Sequence, residues 1–243
     1  MYYINRLLHK WIGLLIFIQM IFWVLGGLIF VSIPFLPIIK GEKYINLTSY
    51  NNNTINANKL VSLNKIINNI PNTIKTDLIN IGNQPVFKIS TLNNNTYYIN
   101  ALTGKKLSTP TQEDIIAIAN SIYKGSGKIK DVSYINNAKA TQILFVNELY
   151  EKTGLIQVSY DDFLNNRLYF DEKSGEFYKI RNNAWVIYDF FWRLHIMDYK
   201  NGENFNNILV IITTTLALIL TLSGSIMLFY TRFIKKSNLD TKI

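Results

Sequence analysis

Two long apolar runs frame the chain. The first extends almost unbroken from Trp11 to Ile39, and the second extends from Ile208 to Tyr230 without a charge. A helix of about 20 apolar residues crosses a hydrocarbon core of roughly 30 Å. The pattern therefore predicts transmembrane helices at 11–37 and 207–231. The first run is too long for the apolar core of a signal peptide and lacks a good cleavage sequence, so we expect it to be retained.

The charges beside these runs predict their orientation. Arg6 and Lys10 precede the first run, and a basic tail at 232–243 (Arg232, Lys235, Lys236, Lys242) follows the second. Lys40 and Lys43 weaken this contrast without reversing it. Basic residues near the ends of spanning helices stay in the cytoplasm. We therefore expect the N-terminus (1–10) and the tail in the cytoplasm, and roughly 41–205 in the periplasm, beyond a bacterial inner membrane.

Composition excludes several classes of function. Much of the formal charge of +9 lies on the cytoplasmic flanks, where it contacts anionic lipid, and no basic stripe indicates nucleic acid. The chain has no cysteine, which excludes disulfides, thiolate metal sites, Fe–S clusters and covalently attached haem c. Hydrolase motifs are absent. The close acidic pairs, Asp161–Asp162 and Glu148/Glu151, are interpreted as solvated turn and helix faces.

An internal repeat divides the predicted exterior. Residues Tyr97–Lys105 align without gaps on Leu168–Glu176, and each copy is typical of a β-strand followed by an Asn/Asp turn that ends in Thr/Ser-Gly. About 160 exterior residues are enough to form a core without disulfides. The repeat predicts two related structural units.

A helical pattern precedes each copy of the repeat. Apolar residues recur at helical spacing between Ala57 and Asn69. Thr111 is typical of an N-cap, followed by one apolar face (Ile115, Ile116, Ile118, Ala119, Ile122). Further strands are predicted at Val86–Ile89, Gln142–Val146 and Leu155–Tyr160. The prediction is an α+β exterior of two helix-plus-antiparallel-sheet units, 41–109 and 110–183.

The chain has only two histidines, each beside an apolar run. His9 precedes the first run. His195 lies in 184–204, where aromatic residues and the histidine recur at spacings of three and four residues (Trp185, Tyr188, Trp192, His195, Tyr199). This spacing predicts either an interfacial helix or a direct extension of the second span. Histidine, arginine and tryptophan are also ordinary interfacial residues, so composition alone favours no ligand role.

Residues near the two histidines affect whether these side chains could bind a metal ion or a macrocycle. One stripe of the first predicted helix contains His9, Gly13, Ile16, Met20, Trp23 and Gly27. Its glycines permit close approach of a flat macrocycle, but helix–helix packing explains them equally. Near His195 are Arg193 and Asp198. Asp198 can orient the imidazole so that its other nitrogen binds a metal, or it can cap a helix or pair with Lys200.

Three motifs resemble the PepSY-TM family. The segment Leu168–Phe177 resembles the PepSY signature strand, from which the first copy departs by having Asn100 in place of aspartate. Arg6–Leu14 is similar to the opening of PepSY-TM proteins, and Leu194-His195 followed by Leu222–Gly224 is similar to their segment around a second histidine. The resemblance implies helices packed on small antiparallel sheets. Larger relatives have four spanning helices, whereas this chain has two.

The resemblance also implies a cofactor. Some larger relatives look like haem-containing transmembrane reductases of ferric chelates. Two imidazoles on one iron lie only about 4 Å apart, whereas His9 and His195 are expected roughly 30 Å apart across the bilayer. One chain therefore cannot use both on one haem. A homodimer, or a second haem-bearing membrane subunit, would bring partner histidines together. Candidate haem b residues are His9 and His195 as iron ligands, with Gly13, Trp23, Gly27, Arg193 and Asp198 nearby.

Two functions remain open at this point. The first is an inner-membrane electron-transfer subunit, a possible oxidoreductase that reduces an external acceptor such as a ferric siderophore for iron uptake. No catalytic residue is predicted in this chain. The alternative is a membrane-tethered PepSY interaction or regulatory module, acting on a peptidase or another envelope partner without redox activity.

Overall fold

The computed structural model describes residues 2–47, 57–82 and 84–234. Lys235, Lys236 and Lys242 of the predicted basic tail lie outside the described residues. As the hydropathy pattern predicts, two long apolar helices near the chain ends flank a sheet-rich α+β region. The helices are α1 (Tyr2–Ser32), α2 (Leu63–Ile67), α3 (Gln112–Ile122), α4 (Asn183–Ile196) and α5 (Ile208–Phe229). Short π or 3₁₀ turns occupy Phe35–Ile39, Glu42–Tyr44, Ala57–Lys59 and Tyr230–Ile234.

Both terminal helices are long and apolar enough to cross a bilayer. The stretches Tyr3–Ser32 and Ile208–Arg232 have 30 and 25 residues, with mean hydropathies of 2.6 and 2.1 in their most apolar windows. Helix α1 begins earlier than the predicted span and ends two residues before Pro34. Proline lacks an amide hydrogen and disfavours helical geometry in the residue before it, so the predicted continuation to residue 37 is wrong.

Among the described residues, the strands form two antiparallel sheets and a small hairpin. The first sheet is the meander β1 (Thr73–Ile81), β2 (Gln84–Thr91) and β3 (Thr96–Asn100). The second has the order β4-β7-β8-β9 and contains β4 (Lys128–Ile135), β7 (Leu155–Asp161), β8 (Arg167–Asp171) and β9 (Phe177–Arg181). The predicted strand 142–146 is instead the hairpin of β5 (Gln142–Ile143) and β6 (Val146–Asn147), because Leu144 has a left-handed φ of 55°.

The chain divides into two compact units. The helical unit contains α1, α5, the part of α4 from Ile187 onward and the segment Leu144–Val146. The sheet unit contains the described parts of Pro34–Ile143 and Asn147–Val186.

Helix α3 covers one face of the second sheet, as predicted. The Thr111 hydroxyl accepts from the Asp114 amide at 3.2 Å, and the Asp114 carboxylate accepts from the Thr111 amide at 2.9 Å, which makes a capping box. The helix buries Ile115, Ala119 and Ile122 against a set of strand residues (Ile156, Val158, Tyr160, Leu168, Phe170, Ile180). This core holds β7, β8 and β9 in register.

The first sheet carries a shorter helix than predicted. Only Leu63–Ile67 is α-helical within the predicted helix 57–69. The Val61 amide donates to the Ala101 carbonyl at 2.9 Å, which holds the chain in a non-helical conformation immediately before α2. Ile66 still reaches the small core of this sheet (Phe87, Ile89, Ile99, Ala101).

The two copies of the repeat form the same turn. After β3, the Asn100 side chain accepts from the amides of Leu102 and Thr103, at 2.9 and 3.0 Å. After β8, the Asp171 side chain accepts from the corresponding amides, those of Lys173 and Ser174, at 3.1 and 2.9 Å. Each turn closes on a glycine, Gly104 and Gly175, with φ of 70° and 74°, a conformation that favours glycine. The internal repeat is therefore confirmed at the level of backbone geometry.

Helix α4 is separate from α5. It ends at Ile196, Met197 has a left-handed φ of 54°, and residues 197–207 connect it to α5. The predicted helix through residue 204 is therefore too long, and the alternative of a direct extension of the second span is wrong. Within the helical unit, the start of α1 contacts the end of α5, so these two helices run antiparallel.

Candidate functional site

His9 lies between α1 and α5 with one ring nitrogen held in place. Its Nδ1 is 3.1 Å from the Leu220 carbonyl oxygen and 3.0 Å from Ser223 Oγ. A side chain at Gly224 would place Cβ only 3.1 Å from His9 Cε1, so the ring lies where α5 has no side chain. When Nδ1–H donates to the carbonyl, Nε2 carries the free lone pair. This arrangement is typical of histidines that bind a metal through Nε2.

His195 lies against aromatic residues of α1. The His195 ring centroid is 5.9 Å from that of Trp23 and 5.8 Å from that of Phe30. Its Nδ1 is buried and has no hydrogen-bond partner among the described residues. Burial lowers the pKa of His195, which favours the neutral imidazole that can act as a metal ligand. A buried polar atom without a hydrogen-bond partner costs free energy of folding, so a ligand or a water molecule bound to this nitrogen would stabilise the folded chain.

Asp198 organises the loop after α4. Its carboxylate accepts from four backbone amides, at 3.0 to 3.2 Å (Lys200, Asn201, Glu203, Asn204). Backbone hydrogen bonds, first among them that from Asn204, lower the pKa of Asp198 to about 2. The carboxylate makes no hydrogen bond to His195. The structure therefore contradicts the interpretation in which Asp198 orients that imidazole, and also an Asp198–Lys200 ion pair, because the contact is with the Lys200 backbone.

Arg193 fixes the same loop from within α4. Its buried guanidinium pairs with Asp189 one turn earlier, Nε to Oδ2 at 2.6 Å, and Nη1 donates to the Lys200 carbonyl at 2.9 Å. Trp192 Nε1 donates to the Gly202 carbonyl at 3.0 Å. These bonds give Arg193 a positioning role for the segment that follows His195.

Side chains cap the C-terminal end of α4. The last carbonyls of a helix have no partner within it. Here Gln19 Nε2 donates to the Leu194 carbonyl, Trp23 Nε1 to the His195 carbonyl, and Asn207 Nδ2 to the Ile196 carbonyl, each at 2.8 Å. The role of Gln19 was not predicted, although a lone amide within an apolar run was the available signal.

The two predicted stripe glycines differ in their surroundings. A Cβ at Gly13 would lie 3.4 Å from Leu220 Cδ1, so this glycine is in a helix–helix contact. A Cβ at Gly27 would have no neighbour within 4 Å, and the close contact instead occurs at Gly26, facing Phe191. The predicted stripe therefore serves two purposes: packing at Gly13 and an open surface at Gly27.

His9 belongs to α1, whereas His195 of α4 contacts α1 at positions far from His9 along the helix axis. Trp23 and Phe30, which contact His195, follow His9 by about 21 and 31 Å at 1.5 Å per residue. No group of three or more His, Cys, Asp or Glu side chains within the described ranges could hold a metal ion. Each histidine nevertheless has one ring nitrogen, His9 Nε2 or His195 Nδ1, that makes no hydrogen bond to a described residue when His9 Nδ1 donates to Leu220.

The sheet unit contains a buried charge network around Glu148, which was predicted to be solvated. Glu148, expected on a solvated helix face, is 2% exposed and lies after β6. It pairs with the Arg167 guanidinium and accepts from the Tyr169 hydroxyl at 2.6 Å. Asp162 is likewise engaged, accepting from the Tyr123 hydroxyl and from Asn166 Nδ2. One member of each predicted acidic pair, Glu148 or Asp162, is thus engaged by other side chains, whereas Glu151 and Asp161 are exposed as predicted.

The sheet unit also has an open cleft of about 1050 Å³ beside β3 and β9. Glu176 lies in it and accepts from Lys88 Nζ at 2.7 Å and from the Tyr98 hydroxyl at 2.9 Å. Burial, and then the nearby Glu176 carboxylate, raise the pKa of Tyr98. The lining is mostly polar and aromatic, so the cleft suits a polar or peptide ligand.

The chain matches no family model, no curated protein and no solved structure.

Proposed function

We propose that this chain is a PepSY-TM-type protein of the bacterial inner membrane that binds haem b as a homodimer and transfers electrons to a periplasmic acceptor. Support for the membrane comes from apolar side chains exposed along both terminal helices, including Leu15 at 73%, Val31 at 83% and Leu228 at 74%. Surfaces this apolar are rare on water-soluble monomers. The termini would be cytoplasmic and the sheet unit periplasmic.

The observation that carries the haem proposal is the unused nitrogen on each of the only two histidines. His195 Nδ1 is buried without a partner among the described residues, and His9 Nε2 remains free when Nδ1 bonds to Leu220. The positions of the two side chains differ by about 21 to 31 Å along α1, which suits two haems at two depths rather than one.

A second chain, or another haem-bearing membrane subunit, would complete each iron site. In a homodimer, His9 would pair with its counterpart near one membrane face and His195 with its counterpart toward the other. Bound haem would supply one-electron redox chemistry. The protein's contribution would be ligation by His9 and His195, orientation of His9 by Ser223, and the apolar and aromatic surroundings formed by Trp23 and Phe30. A ferric siderophore is the acceptor suggested by the family resemblance.

A reduced-minus-oxidised spectrum tests this function. The full chain, expressed with ample haem, should show b-type bands and two haems per dimer. His9→Ala and His195→Ala should each remove one of the two haems, and the double variant should remove both. Gln19→Leu is the control because it disturbs the same helices without removing a ligand, and it should retain both haems. Absence of haem bands, or full haem in the double variant, would reject the proposal.

The cleft beside β3 and β9 favours a second candidate, a membrane-tethered interaction module that binds a peptide or envelope partner. Its charged pair, Lys88 and Glu176, could pair with a peptide backbone or side chain. This function predicts that haem-free protein retains a partner in cross-linking experiments and that Glu176→Gln releases it. A partner retained equally by that variant would argue against the cleft.

A further inference from the structure

Basic residues cluster beside the edge strand β9. Lys152 Nζ lies 3.7 Å from the centroid of the Tyr178 ring, and Lys179 Nζ lies 4.4 Å from the same centroid. Lys40 and Arg181 are the other cations whose charges act on Lys179. We call these four residues the β9 cation cluster. Lys179 is opposite Tyr169 and Arg181 opposite Arg167 in the β8–β9 register, so both lie on one face of the strand.

The three lysines have no acidic partner. Among the described residues, no carboxylate lies within ion-pair distance of Lys40, Lys152 or Lys179. Burial, and then the charges of Arg181, Lys152 and Lys40, lower the pKa of Lys179 to about 8. Lysine charges gathered without a carboxylate at ion-pair distance destabilise the folded chain. A bound anion would relieve this repulsion.

Aromatic rings accompany the cations. The Arg181 guanidinium lies 4.1 Å from the centroid of the Trp185 ring, and its Nε donates to the Glu148 carbonyl at 3.1 Å. Lys40 Nζ is 5.3 Å from the Phe35 ring centroid. Tryptophan, tyrosine and basic residues together are typical of the headgroup level of a membrane.

Two residues of the cluster, Lys40 and Arg181, lie close in sequence to the points where the chain passes between the sheet unit and the helical unit. The buried Asn182 side chain donates to the Ile38 carbonyl at 2.9 Å. This bond joins the segment that follows α1 to the residue immediately before α4. Lys40 comes two residues after Ile38, and Arg181 immediately precedes Asn182. Lys40 and Arg181 therefore lie beside a hydrogen bond between the two chain segments that lead to α1 and α4.

We propose that the β9 cation cluster binds the phosphate group of an anionic phospholipid headgroup. The four cations supply the charge complementarity, and the aromatic rings match the chemistry of the headgroup level. Binding of a lipid headgroup, rather than of free phosphate, depends on the proposed insertion of α1 and α5 and not on haem. A negative haem spectrum therefore leaves this proposal intact.

Lipid binding to the full chain in neutral detergent tests the cluster. Native mass spectrometry would compare retention of phosphatidylglycerol with that of phosphatidylcholine. Each basic residue near an anionic surface contributes about 1 kcal/mol, which is about fivefold in affinity. Lys152→Gln/Lys179→Gln should therefore weaken phosphatidylglycerol binding by about 25-fold. Lys152→Arg/Lys179→Arg keeps both charges and should stay within about threefold of the wild type.

Lys128→Gln/Lys130→Gln is the matched control, because it removes the same charge from exposed positions of β4 at the opposite edge of the sheet. It should bind phosphatidylglycerol like the wild type. Equal binding by the β9 and β4 variants, or no preference of the wild type for phosphatidylglycerol, would overturn the proposal. Displacement of the lipid by equimolar inorganic phosphate would overturn the headgroup assignment. Release of the chain from membranes by alkaline carbonate would instead reject the insertion of the two helices.

Discussion

Replacing Glu148 by glutamine removes the negative charge from a buried network and leaves its partner in place. Glu148 is 2% exposed and the Arg167 side chain is 14% exposed, so water can replace little of the lost interaction. The Tyr169 hydroxyl also donates to Glu148. The variant keeps the size of the side chain and its capacity to accept from that hydroxyl. The change therefore isolates the charge.

The expected loss of stability follows from these contacts. Removing one partner of a buried ion pair costs about 3–5 kcal/mol, because the other charge stays buried without compensation. Arg167 also donates to the Asn165 carbonyl at 2.8 Å and retains some exposure, so the lower end, about 3 kcal/mol, applies. With a urea dependence of about 1–3 kcal/mol per molar, the unfolding midpoint should fall by roughly 1–3 M.

Pulse proteolysis of the full chain in detergent across a urea series would measure the folded fraction of the sheet unit. Glu151→Gln is the matched control: Glu151 is exposed, so its loss should change stability by less than about 0.5 kcal/mol. Glu148→Gln/Arg167→Gln should be more stable than Glu148→Gln alone, since it removes the uncompensated charge. Equal effects at Glu148 and Glu151, or a double variant less stable than the single one, would refute this reasoning.

Three further predictions concern single positions. Because the pKa of Lys179 is about 8 in the folded chain and 10.5 ordinarily, the unfolded chain binds more protons between these values. Stability should therefore rise from pH 8 to pH 10 by on the order of 1 kcal/mol after solvent screening, and Lys179→Gln should lack this rise in pulse proteolysis. Gly224→Ala should cost about 1–3 kcal/mol of stability, since its Cβ would lie 3.1 Å from His9 Cε1, and this loss should appear as a lower thermal midpoint in detergent. Gly27→Ala, with open space around it, should not lower the midpoint. Gly175→Ala should cost about 1–2 kcal/mol in urea unfolding because its φ is 74°, and an unchanged midpoint would contradict the turn assignment.

Features specified by neighbouring residues could be predicted from the sequence. The capping box of α3 joins Thr111 to Asp114, and the turn after β8 joins Asp171 to Ser174, so each signal lies within four residues. Apolar runs long enough to cross a bilayer are equally local. These are the elements in which sequence pattern and structure agree most closely.

Strands β1 and β4 were missed for a physical reason. In β4, Lys128, Lys130 and Asp131 interrupt the apolar pattern, and the strand is defined by pairing with β7, with Val132 opposite Val158. Strand propensity depends strongly on such pairing partners. The sequence of either segment alone does not identify the strand with which it pairs.

Contacts between residues distant in sequence also limited the prediction of the candidate site. The sequence singled out His9 and His195, but it could not show that Trp23 donates to the His195 carbonyl across 172 positions. Nor could it show that Asp198 accepts from loop amides rather than from an imidazole. Glu148 was misassigned because its partners, Arg167 and Tyr169, follow it by 19 and 21 residues.

The capped end of α4 has a consequence for biogenesis. Its terminal carbonyls at Leu194 and His195 are satisfied by side chains of α1, which leaves the ribosome long before α4 does. In an apolar environment those carbonyls would be costly without Gln19 and Trp23. Helix α1 would thus act as a template on which α4 docks, and Asn207 would complete the cap only when α5 begins to form. Synthesis and assembly would then proceed in the same order, from the N-terminus to the C-terminus.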